Sequence, residues 1–468
     1  MFRKIFLMVI TITAISHFTC CSQNSTYNAN IDLSSTTQFG MALGGNIAHS
    51  GENFGVYPGS TFDPIKKIGI KTLRIHDSKS FDWDVIFPNW NADPNSPDSY
   101  DFKSSYRILQ SMFDNGFQPF IRLGASVGAV TNLARMGTNP PDVNKWCTIA
   151  NNIIGHYVNG WGNGHRYALK YVEIWNEPDI GFWKGDQTKF NQLSRQIILL
   201  LKKNYPQLKV GLCGISNVIK HKAFADNLLA YLSDPNGNGS SGDRVPIDFF
   251  SWHVYEQGRG LSGFKPSALA VNGLLAKYGY SSTKSICTEY NAFLPSPYLK
   301  SVNAAVDVVS TLIWAEKNGI DGIYFYPIAD NWGLFDIKRN ASRQMNFVKT
   351  NIANSYVLYS ELTDGMTSRV KIPDGPDDDN LEVIAARSSD NKTIKILAAC
   401  SGWFGKKLNL VLSNNSNASN VVCEVKELSG NGLSTLNDQN VISVRSNQII
   451  LNDNIKAPTC RLYTIHLQ

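Results

Sequence analysis

Tyr171-Val172-Glu173-Ile174-Trp175-Asn176-Glu177-Pro178-Asp179 is the stretch whose reading decides the fold. It opens as a short β-branched and aromatic run, the composition of a buried strand. It stops at Asn176-Glu177-Pro178, because proline donates nothing to a ladder and restricts the residue before it. A buried strand that hands over to a carboxylate is therefore the unit to seek elsewhere. Comparable apolar runs occur at Phe39–Leu43, Thr72–Ile75, Gln118–Leu123, Lys209–Cys213, Phe249–Val254, Ser285–Tyr290 and Gly322–Tyr326. Helical patterns lie between most of them, as at Tyr106–Asn115, Lys189–Asn204 and Asn303–Asn318. Strand-then-helix repetition predicts a parallel sheet. Eight such units between residues 36 and 351 predict an α/β fold, a (β/α)8 TIM barrel. An open doubly wound sheet is the competitor, but no G-x-G-x-x-G follows the first run, and Gly44-Gly45 is too short a signal.

Outward from the barrel the pattern changes. Runs at Arg369–Ile372, Leu381–Ala386, Thr393–Ala398, Leu408–Leu412, Val421–Val425, Gln448–Leu451 and Cys460–Leu467 are short, often alternating, and divided by Asn, Ser, Gly and Asp turns. They predict a C-terminal β-sandwich over residues 352–468. Asp377-Asp378-Asp379 reads as a solvated turn. At the other end, Arg3-Lys4 precedes an apolar run to about Ile15, too short for a stable membrane span, and Cys20-Cys21-Ser22 follows. Residues 1–21 are expected to be a lipoprotein-type signal with Cys21 as the lipidated residue, and the Asn/Ser/Thr-rich residues 22–35 a flexible tether. The expected location is exported: outer-membrane, cell-surface or periplasmic, touching membrane only through the lipid.

Of the 468 residues, 43% are hydrophobic and 18% charged, which excludes a disordered or fibrous chain. The net charge of +6 comes with no Lys/Arg stripe, so nucleic-acid binding is not expected. The remaining cysteines (Cys147, Cys213, Cys287, Cys400, Cys423 and Cys460) form no C-x-x-C pair. Cys213 and Cys287 lie in strand-like runs and read as buried thiols, while an exported chain allows some of the six to oxidise.

In a parallel barrel the reacting groups sit at the carboxyl ends of strands. The fourth run delivers Asn176-Glu177 and the seventh Thr288-Glu289-Tyr290-Asn291. Strands three apart face each other across the lumen, so Glu177 and Glu289 are a candidate pair of opposed carboxyls. Glycoside hydrolysis needs such a pair, one to protonate the leaving oxygen and one to attack or support the anomeric centre; about 5–5.5 Å between them goes with retention of configuration. Glu173 shares the inward parity of Glu177 and lies deeper, as a structural group.

Glu173 to Asp179 resembles the acid/base signature of the clan A glycoside hydrolases. The wider pattern is most similar to family 39, the β-xylosidase and α-L-iduronidase group. Its points of similarity are Arg74-Ile75-His76, Glu173 to Trp183, His253-Val254-Tyr255, Thr288 to Asn291, and Asn331-Trp332-Gly333-Leu334-Phe335. The resemblance implies Glu177 as general acid/base with a raised pKa and Glu289 as nucleophile, with Arg74 holding its pKa down. It implies Tyr255 orienting Glu289, Asn176 on the sugar 2-hydroxyl, His76 and His253 bonding hydroxyls or Glu177, and Trp332 as a platform under the sugar. It implies an oligosaccharide or polysaccharide substrate and no metal or organic cofactor. Asp77 is expected to face outward or line the cleft. Glu256, Asp330, Arg122 and Trp183 are further candidates for substrate contact, and Trp403 for sugar binding by the sandwich. An exo-acting glycosidase is the favoured reading, with the wall-like segment from Asp77 to Tyr100 closing a pocket. An endo-acting glycanase and a non-catalytic carbohydrate-binding lipoprotein are the alternatives.

Overall fold

A computed structural model of the chain describes residues 26–47, 62–125, 139–234, 244–255, 260–292, 298, 300–330, 332–339, 345–372, 380–402, 404–414, 421–436 and 441–467. Eight parallel strands close into a barrel: Ala42–Ile47, Thr72–Ile75, Gln118–Leu123, Tyr171–Ile174, Lys209–Ile215, Phe249–Tyr255, Lys284–Asn291 and Gly322–Phe325. Seven agree with the expected runs to within a few residues. The first begins three residues later than read, and the reason is steric. A Cβ on Gly44 would lie 2.2 Å from the Tyr324 ring, and one on Gly45 would lie 2.4 Å from Ile328. The Gly-Gly pair is where strands one and eight close on each other, so it belongs inside the strand.

The lumen fills in layers, as side-chain alternation requires. At the bottom, Phe120, Phe249, Ile286 and Tyr324 form a cluster of their own, with Phe120 edge-on to Phe249 at 5.2 Å and to Tyr324 at 5.3 Å. Two residues further along the strands the layer turns polar: Asn46, Arg74, Glu173, Ser251 and Thr288, all fully buried or nearly so. The aromatic floor therefore excludes water from below the charged layer, which strengthens every electrostatic contact above it. Helices such as Lys103–Asp114, Gln187–Asn204 and Val302–Lys317 pack outside the barrel with a continuous apolar core beneath them.

The sandwich has a seven-stranded and a four-stranded sheet. All seven expected runs are strands in it, joined by Gly432–Leu436 and Ile442–Arg445. Two further strands come from before the barrel. Thr26–Asp32 pairs in parallel with Lys406–Ser413, and Thr36–Thr37 pairs with Arg369 and Val370. Most of the expected tether is therefore part of the fold. Its polar composition hides a period of two: Tyr27, Ala29 and Ile31 point into the sandwich core while Asn28 and Asn30 face out. The proposed signal and Cys21 lie outside the described residues, as do Asp377–Asp379 and Trp403. The helix Asn351–Thr363, placed at the start of the sandwich by sequence, packs on Val302–Lys317 and bridges the two units. Cys147, Cys213, Cys287, Cys400, Cys423 and Cys460 are all buried free thiols in this structure.

Candidate active site

The site grows out of the polar layer. Arg74, on the second strand, is fully buried and directs its guanidinium across the lumen. Its Nε donates to Glu173 at 2.8 Å, and its Nη1 to Glu289 at 2.7 Å and to Asn46 at 2.9 Å. Its Nη2 donates to Asn176 at 2.7 Å and lies 2.7 Å from Glu173. Burial opposes the charge, but the two carboxylates outweigh it and keep Arg74 cationic. One arginine thus positions groups from strands one, four and seven.

Glu177 reaches the lumen through a distorted backbone. Trp175 and Glu177 both adopt left-handed φ, 70° and 43°. Such conformations cost of order 1–3 kcal/mol each in non-glycine residues and persist only where the surroundings impose them. Here the backbone N–H of Trp175 donates to Leu123 on one side, and that of Glu177 donates to Cys213 and Gly214 on the other. Pro178 follows. Glu289 arrives by a different device. The seventh strand is irregular between Cys287 and Glu289, where Thr288 is an extra residue with no partner on the sixth strand. The bulge lets consecutive residues face inward: Thr288 Oγ1 donates to Glu173 at 3.2 Å, and Glu289 meets Arg74.

The two glutamates converge. Glu177, His253 and Glu289 each place one polar atom within 4.8 Å of the others. His253 Nδ1 lies 2.8 Å from Glu177 and 3.6 Å from Glu289. Tyr255 donates its hydroxyl to the second Glu289 oxygen, and His76 Nε2 lies 3.5 Å from the first. These three ligand-type groups would suit a divalent ion, yet Arg74 and Tyr255 already bind both oxygens of Glu289, and the guanidinium repels a cation there.

Burial dominates the titration. It pushes Glu177 up to about 8, helped by Asp179 and opposed by Arg74. It also raises Glu289, which differs from the expectation that Arg74 would hold that group down; His253, Arg74 and the Tyr255 hydroxyl only offset part of the effect. The distinction between the two carboxyls lies in their donors. The ion pair with Arg74 and the Tyr255 hydrogen bond favour the ionised form of Glu289. Burial lowers His253, so its imidazole is neutral, and raises Tyr255 well above the usual phenol range, so it remains a donor.

Of the sequence candidates, Glu177, Glu289, Asn176, Arg74, His76, His253 and Tyr255 come together. Trp332 is half-buried beyond them and stands edge-on to Tyr326 at 5.6 Å. For Asp77, read as facing outward or lining the cleft, the structure selects the inward position. Its φ of 55° turns it inward, where it accepts from the Tyr326 hydroxyl at 2.7 Å and lies 3.3 Å from His76. Arg122 is buried against Asp82 at 3.0 Å, and Trp183 packs edge-on to Trp175, so both act as supports. Glu256 lies outside the described residues. Asn46, Tyr326 and Gly214 were not singled out from sequence. Asn46 follows the dismissed Gly44-Gly45, which was the available signal. Gly214 has φ 59°, and a Cβ there would lie 2.8 Å from His253 Nε2.

The family model for Glycosyl hydrolases family 39 matches residues 59–284, from before the second barrel strand to the start of the seventh. Over that stretch the chain is family-39-like. A β-xylosidase of Geobacillus stearothermophilus is 28% identical over 207 residues, covering 41% of this chain and 37% of that protein. The chain thus spans well under half the length of that relative. Solved structures extend the likeness to nearly the whole fold. A glucosidase from Croceicoccus marinus superposes with a TM-score of 0.70 at 18% identity, covering 95% of this chain and 99% of the other. An α-L-arabinofuranosidase from Thermotoga maritima gives 0.67 at 13% identity, covering 94% and 100%. A family 39 β-xylosidase from Caulobacter crescentus gives 0.64 at 16%, covering 94% and 99%. The family-39-like barrel and its trailing sandwich are therefore a shared architecture.

Proposed function

We propose that the protein is a retaining, exo-acting glycoside hydrolase that cleaves oligosaccharides or polysaccharides by double displacement. The observation that carries this reading is the approach of one oxygen each of Glu177 and Glu289 to within 4.8 Å, the short spacing that goes with direct attack rather than the wider gap of inverting pairs. In the first step a Glu289 oxygen bonds to the anomeric carbon, the glycosidic bond breaks, and Glu177 gives its proton to the departing oxygen. In the second, Glu177, now a carboxylate, takes a proton from water as that water attacks the anomeric carbon, and Glu289 leaves. Asn176 and the two histidines are placed to bind hydroxyls, and Trp332 to cover an apolar sugar face. The β-xylosidase relatives make aryl xylosides the first substrates to try.

Glu289→Gln tests the chemistry: turnover of aryl glycosides is expected to fall by orders of magnitude, and a 2-fluoro glycoside should label wild-type protein on the peptide containing Glu289. Unchanged turnover would overturn the reading. Release of monosaccharide from the chain end separates exo from endo action. We also propose export with lipid at Cys21, which metabolic labelling with palmitate, lost in Cys21→Ser, would test.

A further inference from the structure

We propose that Asp77 is a specificity-determining residue of the sugar pocket, a fixed carboxylate that accepts hydroxyls of a neutral glycone and turns away a uronic acid. The inference rests on the proposed hydrolase reading and deepens it. Asp77 follows the second strand in a left-handed conformation that Asp tolerates better than most residues. It is almost fully buried, its carboxylate held between the Tyr326 hydroxyl at 2.7 Å and His76 Nε2 at 3.3 Å. That same His76 nitrogen lies 3.5 Å from Glu289, so a single imidazole nitrogen links Asp77 to the proposed nucleophile. Tyr326 in turn contacts Trp332, the proposed sugar platform, and Tyr255 at 6.1 Å between ring centroids. Asp77 therefore sits on the eighth- and second-strand side of Glu289, where the glycone lies if Glu289 attacks its anomeric carbon.

The electrostatics follow from counting donors. Arg74 has five N–H bonds, and Glu173, Asn46, Glu289 and Asn176 take them all. Among the described residues, the guanidinium that meets both Glu173 and Glu289 thus has nothing left for a substrate carboxylate. Asp77 and Glu289 both present negative charge to a low-dielectric pocket. A sugar carboxylate entering it meets repulsion and loses its hydration, whereas hydroxyls donate to a carboxylate in strong, charge-assisted bonds.

The test compares wild type with Asp77→Asn, which keeps the shape and tolerates the same φ, and with Tyr326→Phe, which removes only the hydroxyl holding Asp77. Aryl glycosides of neutral sugars and the matching aryl glucuronide are assayed for kcat/KM. Binding of free xylose, glucose and glucuronate is followed by ligand-detected NMR. Wild type is expected to favour the neutral member at least a hundredfold. Asp77→Asn should raise KM for neutral substrates and narrow the preference by about tenfold, with Tyr326→Phe shifting it the same way by less. A purely structural role would lower both activities together and leave the ratio unmoved, which would overturn the proposal. So would wild-type binding of glucuronate as tight as that of the neutral sugars. Absence of hydrolysis with every glycoside would instead count against the hydrolase reading, while the binding comparison still decides the role of Asp77.

Discussion

At the scale of single residues, Glu177 carries the sharpest consequence. Its carboxyl titrates near 4.5 when unperturbed and is pushed up to about 8 in the folded site. Below about pH 4 it is protonated in both folded and unfolded chains and contributes nothing to pH dependence. Between those values the unfolded chain releases the proton and the folded chain keeps it, so folding loses stability as pH rises, fully so above about 8. Glu177→Gln removes that cost. The variant is expected to melt at the wild-type temperature near pH 4 and above it near pH 8, by scanning calorimetry; equal melting temperatures at both would contradict the raised pKa. Its activity on poor leaving groups should fall by about 10²–10⁴, and the high-pH limb of the wild-type rate profile should vanish. The carboxyl identities were legible in sequence because each ends an apolar run. The side Asp77 faces stayed open because nothing in a one-dimensional pattern announces a positive φ.

At the scale of elements, alternation decides most of the outcome. The barrel strands were readable because a parallel strand buried on both faces leaves a dense apolar run. The bulge at Cys287–Glu289 was not readable, since Thr288, the extra residue it adds to the seventh strand, looks like any other strand residue in the sequence. The first strand was read too early because glycine carries no hydrophobic signal, although close approach demands it. Gly44→Ala is expected to destabilise the protein by about 1–3 kcal/mol, because the new methyl collides with a ring already wedged among Phe120 and Phe249. An unchanged melting temperature would mean that Tyr324 can move aside. The strand Thr26–Asp32 was read as a tether because four of its seven residues are Thr, Asn or Asp, yet Tyr27, Ala29 and Ile31 fill the sandwich. Deleting residues 26–33 should expose Leu408 and Leu410 and produce aggregation, seen by light scattering; a monodisperse truncated protein would contradict that.

At the scale of the whole molecule, barrel and sandwich share one core. Ile384, Leu397, Ala399, Leu428 and Leu462 of the sandwich belong to the same apolar cluster as the barrel helices. Lys317–Glu382 at 3.1 Å and Lys426–Glu361 at 2.9 Å add ion pairs across the junction. The two units are therefore expected to unfold in one calorimetric transition, and two resolved peaks would overturn that expectation. The chain also leaves the sandwich, builds the barrel and returns, so each end of the barrel is tied to the same sheets.

The sequence by itself determined the class of fold, the strand ends that carry chemistry, and both glutamates, because hydrophobic periodicity and proline punctuation are local. Only the tertiary structure decided that Arg74 commits every donor, that Asp77 turns inward beside His76, and that residues before the barrel complete the sandwich after it. Those outcomes depend on charges and strands brought together from distant parts of the chain, where burial and hydrogen bonding outweigh any local preference.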